Sequence, residues 1–400
     1  MSNLLVGGEL RAREHHRVED DAREAGPLHA VTLPNGVEMQ VVTVGLELTR
    51  TLLTDQRLSK DSARLQREIK RQLAALGSTQ ENLAGLFGPS MLNSDNPQHA
   101  RLRALAVKAF NGRAVQRLAP RIEEITVELV GRLRVGEEID LVQELAVPMP
   151  MHVIGEVLGV PAGDQARVRL LIETMMSMEP EVSQPASDEL GGYFHGLLTG
   201  GDLDPGSLFG ALATAADDDG DHLNHDELMA MAFLLVVAGH ETSASLIANV
   251  VHDALDNGLW EKAAADPSLV PRLVEETLRH NSPVRSATHR ITTEPVEIGG
   301  TLVPEGTLLL INLGSAGRCP QAHADAGEYR VDRETTGHAT FGHGPHFCLG
   351  SGLARLEAET VVRHLAARFP RTTYAGDEQP AVTHNDIMAS LKSLPVVLRR

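Results

Sequence analysis

The sequence predicts a mainly α-helical fold with a smaller β-rich region, and three stretches of the chain carry that prediction. From about Leu46 to His280 the apolar residues recur mostly at helical spacing. A patch rich in β-branched residues follows from Val296 to Leu313, with Gly299-Gly300 as its turn. Residues 224–257 could form one long helix whose first half is apolar on every side. Such a helix is expected to be buried at the centre of the fold.

The segments on either side of the helical stretch have simpler patterns. Residues up to about Arg23 are polar, and we expect them to be loosely ordered. The run from Leu28 to Val44, with the turn Leu33-Pro34-Asn35-Gly36, predicts a hairpin. A second helix is predicted from about Leu353 to Arg368, before a strand-like tail. Loops rich in Pro and Gly are expected to interrupt the helical stretch at 148–163 and 199–206. Without a repeat or a convincing linker, residues 1–400 are expected to form one domain.

Composition excludes several classes of protein. The chain has 400 residues, 42% of them hydrophobic, and a formal charge of −18, which disfavours nucleic acid and anionic membranes as partners. Cys319 and Cys348 cannot form a disulfide framework. The N-terminus lacks a basic–apolar–small signal pattern, and the apolar run from Leu228 to Gly239 is shorter than the roughly 18 residues of a membrane span. We therefore expect a cytoplasmic protein.

The most informative segment is Phe341-Gly342-His343-Gly344-Pro345-His346-Phe347-Cys348-Leu349-Gly350. It places one cysteine in a glycine-hinged loop, just before the helix-forming run that starts at Leu353. Amides near a helix N-terminus can stabilise a thiolate, and Gly344 and Gly350 allow the backbone to turn tightly and approach a flat partner. Haem iron suits a single exposed thiolate. The alternative is an inert cysteine in a glycine-rich turn.

The predicted central helix carries a second unusual segment. Asn224 and Glu227 form a capping-box-like start, and Gly258 lies just beyond the expected end. In its middle stands Ala238-Gly239-His240-Glu241-Thr242. A glycine, an acid and a hydroxyl inside an apolar helix cost stability, which usually indicates function. A kinked helix whose polar residues find partners within the fold is the alternative.

The pattern Phe-x-x-Gly-x-His-x-Cys-x-Gly resembles the haem-binding loop of the cytochrome P-450 family. The segment around Thr242 resembles the family's oxygen-binding motif, about 110 residues earlier, as the family order requires. The resemblance implies a P-450-like fold with heme b buried between a long central helix and the cysteine loop. It implies Cys348 as the metal ligand, and Glu241 and Thr242 as the residues that handle protons. The remaining cofactor contacts that it implies near these motifs are Ala238, Gly239, Phe341, Gly342, His346 and Gly350.

The resemblance also implies residues that support the cofactor. His99, Arg103, Arg290 and His346 match positions that bind the haem propionates. Glu276 and Arg279, three apart on a predicted helix, match a buried pair that braces the fold. The chain departs from the family elsewhere. It has Gly317-Arg318-Cys319-Pro320 in place of Asn-Arg-Asp-Pro, and Glu328 where an arginine normally completes a triad with the Glu-x-x-Arg pair. Arg330 or Arg333 could take that place.

The function that follows is a haem-thiolate monooxygenase. It would activate dioxygen with electrons that come ultimately from NAD(P)H through ferredoxin and ferredoxin reductase, and oxidise a small organic molecule, by analogy a natural product. The basic residues between His99 and Arg117 are expected to dock the ferredoxin, and the stretch 175–206 to cover the substrate. The alternatives are a peroxide-using haem-thiolate enzyme, a non-catalytic haem-thiolate sensor and a cysteine-nucleophile hydrolase.

Overall fold

A computed structural model describes residues 5–12, 14–77, 89–161, 163–175, 180–200, 204–216, 220–333 and 337–400. The described helices follow the chain in this order: α1 (Glu14–Ala25), α2 (Leu46–Thr54), α3 (Ser62–Ala75), α4 (Gln98–Ala109), α5 (Gly112–Arg132), α6 (Pro148–Val157), α7 (Gln165–Met175), α8 (Pro180–Gly200), α9 (Leu208–Ala213), α10 (His225–Asp256), α11 (Trp260–Ala265), α12 (Val270–His280), α13 (Leu313–Gly317) and α14 (Ser351–Arg368). The mainly helical prediction is confirmed, and the largest apolar core lies among these helices.

The strands form small sheets. They are β1 (Gly8–Arg11), β2 (Leu28–Thr32), β3 (Glu38–Val42), β4 (Leu58–Ser59), β5 (Glu138–Asp140), β6 (Arg290–Thr292), β7 (Val296–Ile298), β8 (Thr301–Val303), β9 (Leu308–Ile311), β10 (Thr373–Tyr374), β11 (Ala381–His384), β12 (Ala389–Leu391) and β13 (Pro395–Val397). A five-stranded sheet has the order β2-β3-β9-β6-β4, in which β3 and β9 are parallel. The predicted hairpin is β2–β3, and the predicted β-rich patch supplies β7, β8 and β9.

Helix α10 starts and ends where the sequence predicts. The Asn224 side chain accepts from the Glu227 amide at 2.9 Å, and the Glu227 carboxylate accepts from the Asn224 amide at 3.0 Å. The helix stops before Gly258, whose φ of 61° favours glycine. By length and composition alone α10 is apolar enough to cross a membrane, a test that the core helix of a soluble fold also passes. Here α10 packs on α6, α12 and α14 at the centre of the fold.

The N-terminal segment differs from the expectation of loose order. Gly8–Arg11 forms β1 and Glu14–Ala25 forms α1, and β1 pairs with β11, more than 360 positions away. The buried Glu19 carboxylate on α1 forms ion pairs with Arg285 and, at 3.0 Å, with Arg318. These partners are more than 260 positions away, so the polar composition of the segment gave no indication of them.

The expected loop at 148–163 is partly helical, whereas the described residues 204–206 of the expected loop at 199–206 lie between two helices. Helix α6 occupies residues 148–157, where a loop was expected. Pro148 lies at its first position, where the missing N–H needs no partner. Helix α8 continues through Pro185 and the pair Gly191-Gly192. A Cβ on Gly191 would lie 3.6 Å from the Phe233 ring, an ordinary contact, so the packing of α8 on α10 does not depend on this glycine.

The buried brace around Glu276 contains a third partner. Arg279 donates from Nε and Nη2 to the two Glu276 oxygens at 2.8 and 2.7 Å, and both side chains are fully buried. Arg333 Nε lies 3.2 Å from Glu276 Oε1. Glu328 contributes its backbone carbonyl, which accepts from Arg279 at 2.9 Å. Of the two candidates for the missing arginine, Arg333 is the one whose side chain pairs with Glu276. The side chain of Arg330 pairs with exposed aspartates instead.

Candidate active site

The cysteine loop is shaped by two glycines before Cys348. Gly342 and Gly344 have φ values of 77° and 71°, in the left-handed region that favours glycine. The Cys348 amide donates to the Phe341 carbonyl at 2.8 Å, which closes the loop. Gly350 has φ −84° and precedes α14. The turning role expected of Gly344 and Gly350 therefore belongs to Gly342 and Gly344.

The loop opens onto an internal cavity of about 310 Å³. Eleven of the twelve site residues that the sequence predicts line this cavity, from four separate parts of the chain: His99, Arg103, Ala238, Gly239, Thr242, Arg290, Phe341, Gly342, His346, Cys348 and Gly350. Glu241 does not line it. A cavity of this size with few convergent polar groups is typical of a small-molecule site.

The Cys348 side chain is solvent-accessible and lines the cavity, within a site that is otherwise enclosed by protein. Burial raises the pKa of the Cys348 thiol, while the Gly350 amide, Arg103 and Arg355 act in the opposite direction. Arg103 Nη2 also donates to the Phe347 carbonyl at 2.7 Å, and the Arg355 guanidinium lies 4.5 Å from the centre of the Phe341 ring. Two cations therefore hold the loop and face its sulfur.

Basic and imidazole groups gather on the same cavity. The rings of His99 and His346 lie 3.9 Å apart between centroids. Burial, Lys60 and His99 lower the pKa of His346 to about 2. Burial lowers the pKa of Arg290 to about 10. Within the described residues, neither Nε2 of His99 nor Nε of Arg290 has a hydrogen-bond partner. Because buried polar atoms are normally paired, these two indicate an anionic or acceptor-bearing ligand.

The rest of the cavity wall is mostly aliphatic. Helix α6 supplies Val153, Ile154 and Val157. Helix α10 supplies Met231, Leu234, Leu235 and Leu246, and the chain after α12 supplies Pro283, Val284 and Ala287. A Cβ on Gly239 would lie 3.6 Å from Ile154, an ordinary contact, so this wall would tolerate a methyl group there. The wall favours an apolar guest.

The two predicted proton-handling residues face different surroundings. Thr242 Oγ1 lines the cavity and donates to the Ala238 carbonyl one turn earlier, at 2.7 Å. Glu241 Oε1 lies 3.4 Å from the Ser390 hydroxyl, which lies 2.8 Å from that of Ser245. The carboxylate of Glu241 therefore contacts β12 rather than the cavity.

Two further titratable residues line the cavity that sequence reasoning missed. Lys60 is buried and donates from Nζ to Thr288 Oγ1. Glu357 on α14 is buried and hydrogen-bonded to Ser243, and its Oε2 has no partner among the described residues. Burial raises the pKa of Glu357 to about 8. The one available signal for Glu357 was its place on the helix that follows Cys348.

Other expectations lie away from this cavity. Cys319 is buried and bonds through Sγ to Gln321 Oε1 at 2.8 Å. No described residue of 175–206 lines the cavity, although Phe194 on α8 packs against Phe233 with ring centroids 6.1 Å apart. Met176, Met178 and Gly201 from the expected substrate cover lie outside the described residues.

Comparisons with known proteins agree with this fold and site. The family described as Cytochrome P450 matches residues 261–399. The chain is 39% identical to Cytochrome P450 107B1 of Saccharopolyspora erythraea, over 98% of this chain and 97% of that protein. It is 38% identical to Cytochrome P450 monooxygenase PikC of Streptomyces venezuelae, over 94% and 89%. The solved structure of the tirandamycin C-bound P450 monooxygenase TamI superposes with a TM-score of 0.85 at 36% identity, covering 96% of this chain and 97% of that one.

The fold and the cysteine-centred cavity thus define a haem-thiolate oxidoreductase. The chain belongs to the cytochrome P450 family and is an oxidoreductase of the monooxygenase type.

Proposed function

We propose that the cavity binds heme b with Cys348 Sγ as the iron ligand, and that the enzyme inserts one oxygen atom into an apolar organic molecule. The observation that carries the proposal is that Cys348, Gly239 and Thr242 line one cavity, although more than 100 positions separate the cysteine from the other two.

The residues that line the cavity fit this cofactor. Haem carries two propionates, and the unpartnered Nε2 of His99 and Nε of Arg290 are donors that such carboxylates would satisfy. Arg103 and His346 would complete this set, and Phe341, Gly342, Gly350 and Ala238 would contact the macrocycle.

The chemistry divides between the cofactor and the chain. When bound, thiolate-ligated haem supplies the centre for dioxygen activation, because the thiolate favours O–O cleavage. Thr242 would hold a proton at Oγ1, which now donates to the Ala238 carbonyl and can rotate toward the cavity. Glu241 would resupply that proton from the side of Ser390 and Ser245. The aliphatic wall would exclude water, so that protons reach the site through these side chains.

The substrate that the cavity fits best is an apolar, mostly aliphatic natural product. The side chains from α6 and α10 that line the cavity are uncharged, so a charged substrate would lose its hydration there without a partner. TamI, which shares this fold over nearly its full length, is described with bound tirandamycin C, and this supports an organic molecule as the substrate of this chain. The product would be a hydroxyl if the substrate presents a C–H bond to the haem and an epoxide if it presents a C=C bond.

The partners that we propose are a ferredoxin and its reductase, which would deliver electrons from NAD(P)H. Fewer of the basic residues on α4 and α5 are available to a partner than the sequence predicts. Arg101 is held by Asp221 and, at 2.7 Å, by Glu227, and Lys108 donates to the Ala216 carbonyl at 2.7 Å. Arg113 and Arg117 remain exposed near the start of α5 and form no ion pair with a described residue. These two would attract an acidic ferredoxin.

We place this activity in the cytoplasm, with no nucleic acid or membrane as partner. The formal charge of −18 supports that placement, because it would repel both nucleic acid and anionic lipid.

The decisive experiment compares two single substitutions in the purified protein. Cys348→Ser should abolish the thiolate-type absorption of the reduced carbon monoxide complex. Cys319→Ser is the matched control and should keep it, because Cys319 is bonded to Gln321 away from the cavity. Loss of that absorption in Cys319→Ser, with retention in Cys348→Ser, would contradict the assignment.

A further inference from the structure

Lys60 is a buried lysine at the wall of the cavity. It follows β4, two residues before α3, and only 2% of its surface is exposed. Burial and the neighbouring Arg290 hold the pKa of Lys60 well below its usual value. Burial of an ammonium group is costly unless a partner of opposite charge compensates for it.

The surroundings of Lys60 in the protein do not supply that partner. Its Nζ donates to Thr288 Oγ1, which is uncharged, and no carboxylate of the described residues forms an ion pair with it. Asp95 is the acid that acts on Lys60 through space. The Asp95 oxygens are already engaged by the Ser59 hydroxyl and, at 2.9 Å, by the backbone amide of Lys60 itself.

Two arginines near Lys60, Arg103 and Arg290, add to the positive charge at the cavity, whereas the histidines beside them are held neutral. His99, Arg103, Arg290 and His346 line the same cavity, and Lys60 itself helps to lower the pKa of both His99 and His346. Arg290 is fixed by donation from Nη1 to the Leu58 carbonyl at 3.2 Å and from Nη2 to the Leu53 carbonyl at 3.1 Å. The fixed arginine cannot move away, so an anion entering the cavity would relieve the repulsion.

We propose that Lys60 is a further cationic ligand of a haem propionate, positioned by Thr288. This inference rests on the proposed function, because it requires haem in the cavity. Since a nearby cation stabilises the reduced, less positive iron centre, Lys60 also raises the reduction potential of the bound haem. Lys60 is thus a positioning residue for the cofactor that the family resemblance did not assign.

The test uses the holoenzyme and its Lys60→Gln, Lys60→Met and Lys60→Arg variants. Glutamine removes the charge yet can still bond Thr288, whereas arginine keeps the charge. Lys70→Met is the matched control, because Lys70 is exposed on α3.

Two quantities are measured: the rate of haem transfer to excess apomyoglobin and the midpoint reduction potential. Lys60→Gln and Lys60→Met should lose haem about tenfold faster, as expected for one charge-assisted hydrogen bond. Their potentials should be more negative, while Lys60→Arg and Lys70→Met should stay near the wild type.

The outcomes separate the two levels of inference. If the wild type holds thiolate-ligated haem and Lys60→Gln matches it in haem loss and potential, the role of Lys60 is wrong and the proposed function stands. If Lys60→Met alone loses haem faster, the lysine acts through its hydrogen bond to Thr288 and not through its charge, and the proposal fails. If the wild type shows no thiolate-haem spectrum, the proposed function fails and this inference with it.

Discussion

Arg333 Nε lies 3.2 Å from Glu276 Oε1, an oxygen to which Arg279 Nη2 also donates, at 2.7 Å. Both Glu276 and Arg279 are fully buried, and Arg333 is 10% exposed. The segment after α13, which lacks regular structure, is thereby tied to α12 by a charged contact. Arg333 also donates to the Asp325 carbonyl at 2.9 Å, so it holds both ends of this segment.

Replacement of Arg333 by alanine should destabilise the protein by about 3 kcal/mol, because it removes one partner of a buried carboxylate. Arg330→Ala is the matched control. Its ion pairs with Asp325 and Asp332 are exposed, and such pairs contribute about 0–1 kcal/mol. Denaturant unfolding of both variants measures the difference. Equal stability of the two variants would show that the brace does not depend on Arg333.

Thr242→Ala should still bind haem and consume reductant, yet release more peroxide per product formed. The Oγ1 that donates to the Ala238 carbonyl belongs to a residue of α10 that lines the cavity, where a proton donor is required. Product per reductant should fall about tenfold, a small part of the 10²–10⁴ that a positioned proton donor can contribute. Thr242→Ser keeps the hydroxyl and should retain most of the coupling. Unchanged coupling in Thr242→Ala would remove Thr242 from proton delivery.

Glu357 should make stability fall as the pH rises from about 5 to about 8. Burial raises the pKa of Glu357 to about 8 in the folded state, against about 4.3 in an unfolded chain. Between these values the folded state binds more protons, so its stability decreases with pH by up to about 1.4 kcal/mol per unit. Glu357→Gln should remove this contribution and gain stability relative to the wild type as the pH increases.

Unfolding free energies of Glu357→Gln and wild type at pH 5, 6.5 and 8 test this prediction. Glu261→Gln, on the exposed side of α11, is the control and should parallel the wild type. A constant difference between Glu357→Gln and the wild type across these pH values would show that Glu357 titrates as an ordinary carboxyl.

Charge reversal at Arg113 and Arg117 should slow reduction by an acidic ferredoxin at low ionic strength. Both side chains are exposed on α5, close along the chain to Arg103, which acts on the Cys348 thiol. The difference in reduction rate between this variant and the wild type should become smaller with added salt, since the Debye length is about 8 Å at physiological ionic strength. Reversal at Arg167 and Arg169 on α7 changes the charge equally at another surface and should leave the rate unchanged. Equal effects of the two double reversals would indicate a response to net charge alone.

The sequence predicted those parts of the structure that depend on local signals. The capping box at Asn224 and the stop at Gly258 defined α10 almost to the residue. The cysteine loop was predicted from its spacing, and the cavity collects eleven of the twelve predicted site residues. Local chemistry was sufficient at these positions because glycines and caps act within a few residues.

The features that sequence reasoning missed depend on contacts between distant segments. The residues next to Lys60 in the sequence, Ser59 and Asp61, do not indicate a role for it. Its position at the cavity depends on contacts with Thr288 and Arg290, which are far away along the chain. The choice of Arg333 over Arg330 follows from the path of the chain after α13, which local pattern does not determine. The orientation of Glu241 toward Ser390 depends on where β12 lies against α10. In each case tertiary packing decides among local possibilities.

The pairing of β1 with β11 joins the first described strand to a segment that follows it by more than 360 positions. Arg11 Nη1 donates to the Gln379 carbonyl at 2.7 Å, across 368 positions of chain. At about 5–20 residues per second, a ribosome needs roughly 20 to 75 s to travel that distance. During that interval β1 has no partner, and its exposed backbone is open to pairing with other chains. Assembly of this sheet therefore comes long after β1 is made, and slower translation, which lengthens the interval without a partner, would increase the loss of protein at this step.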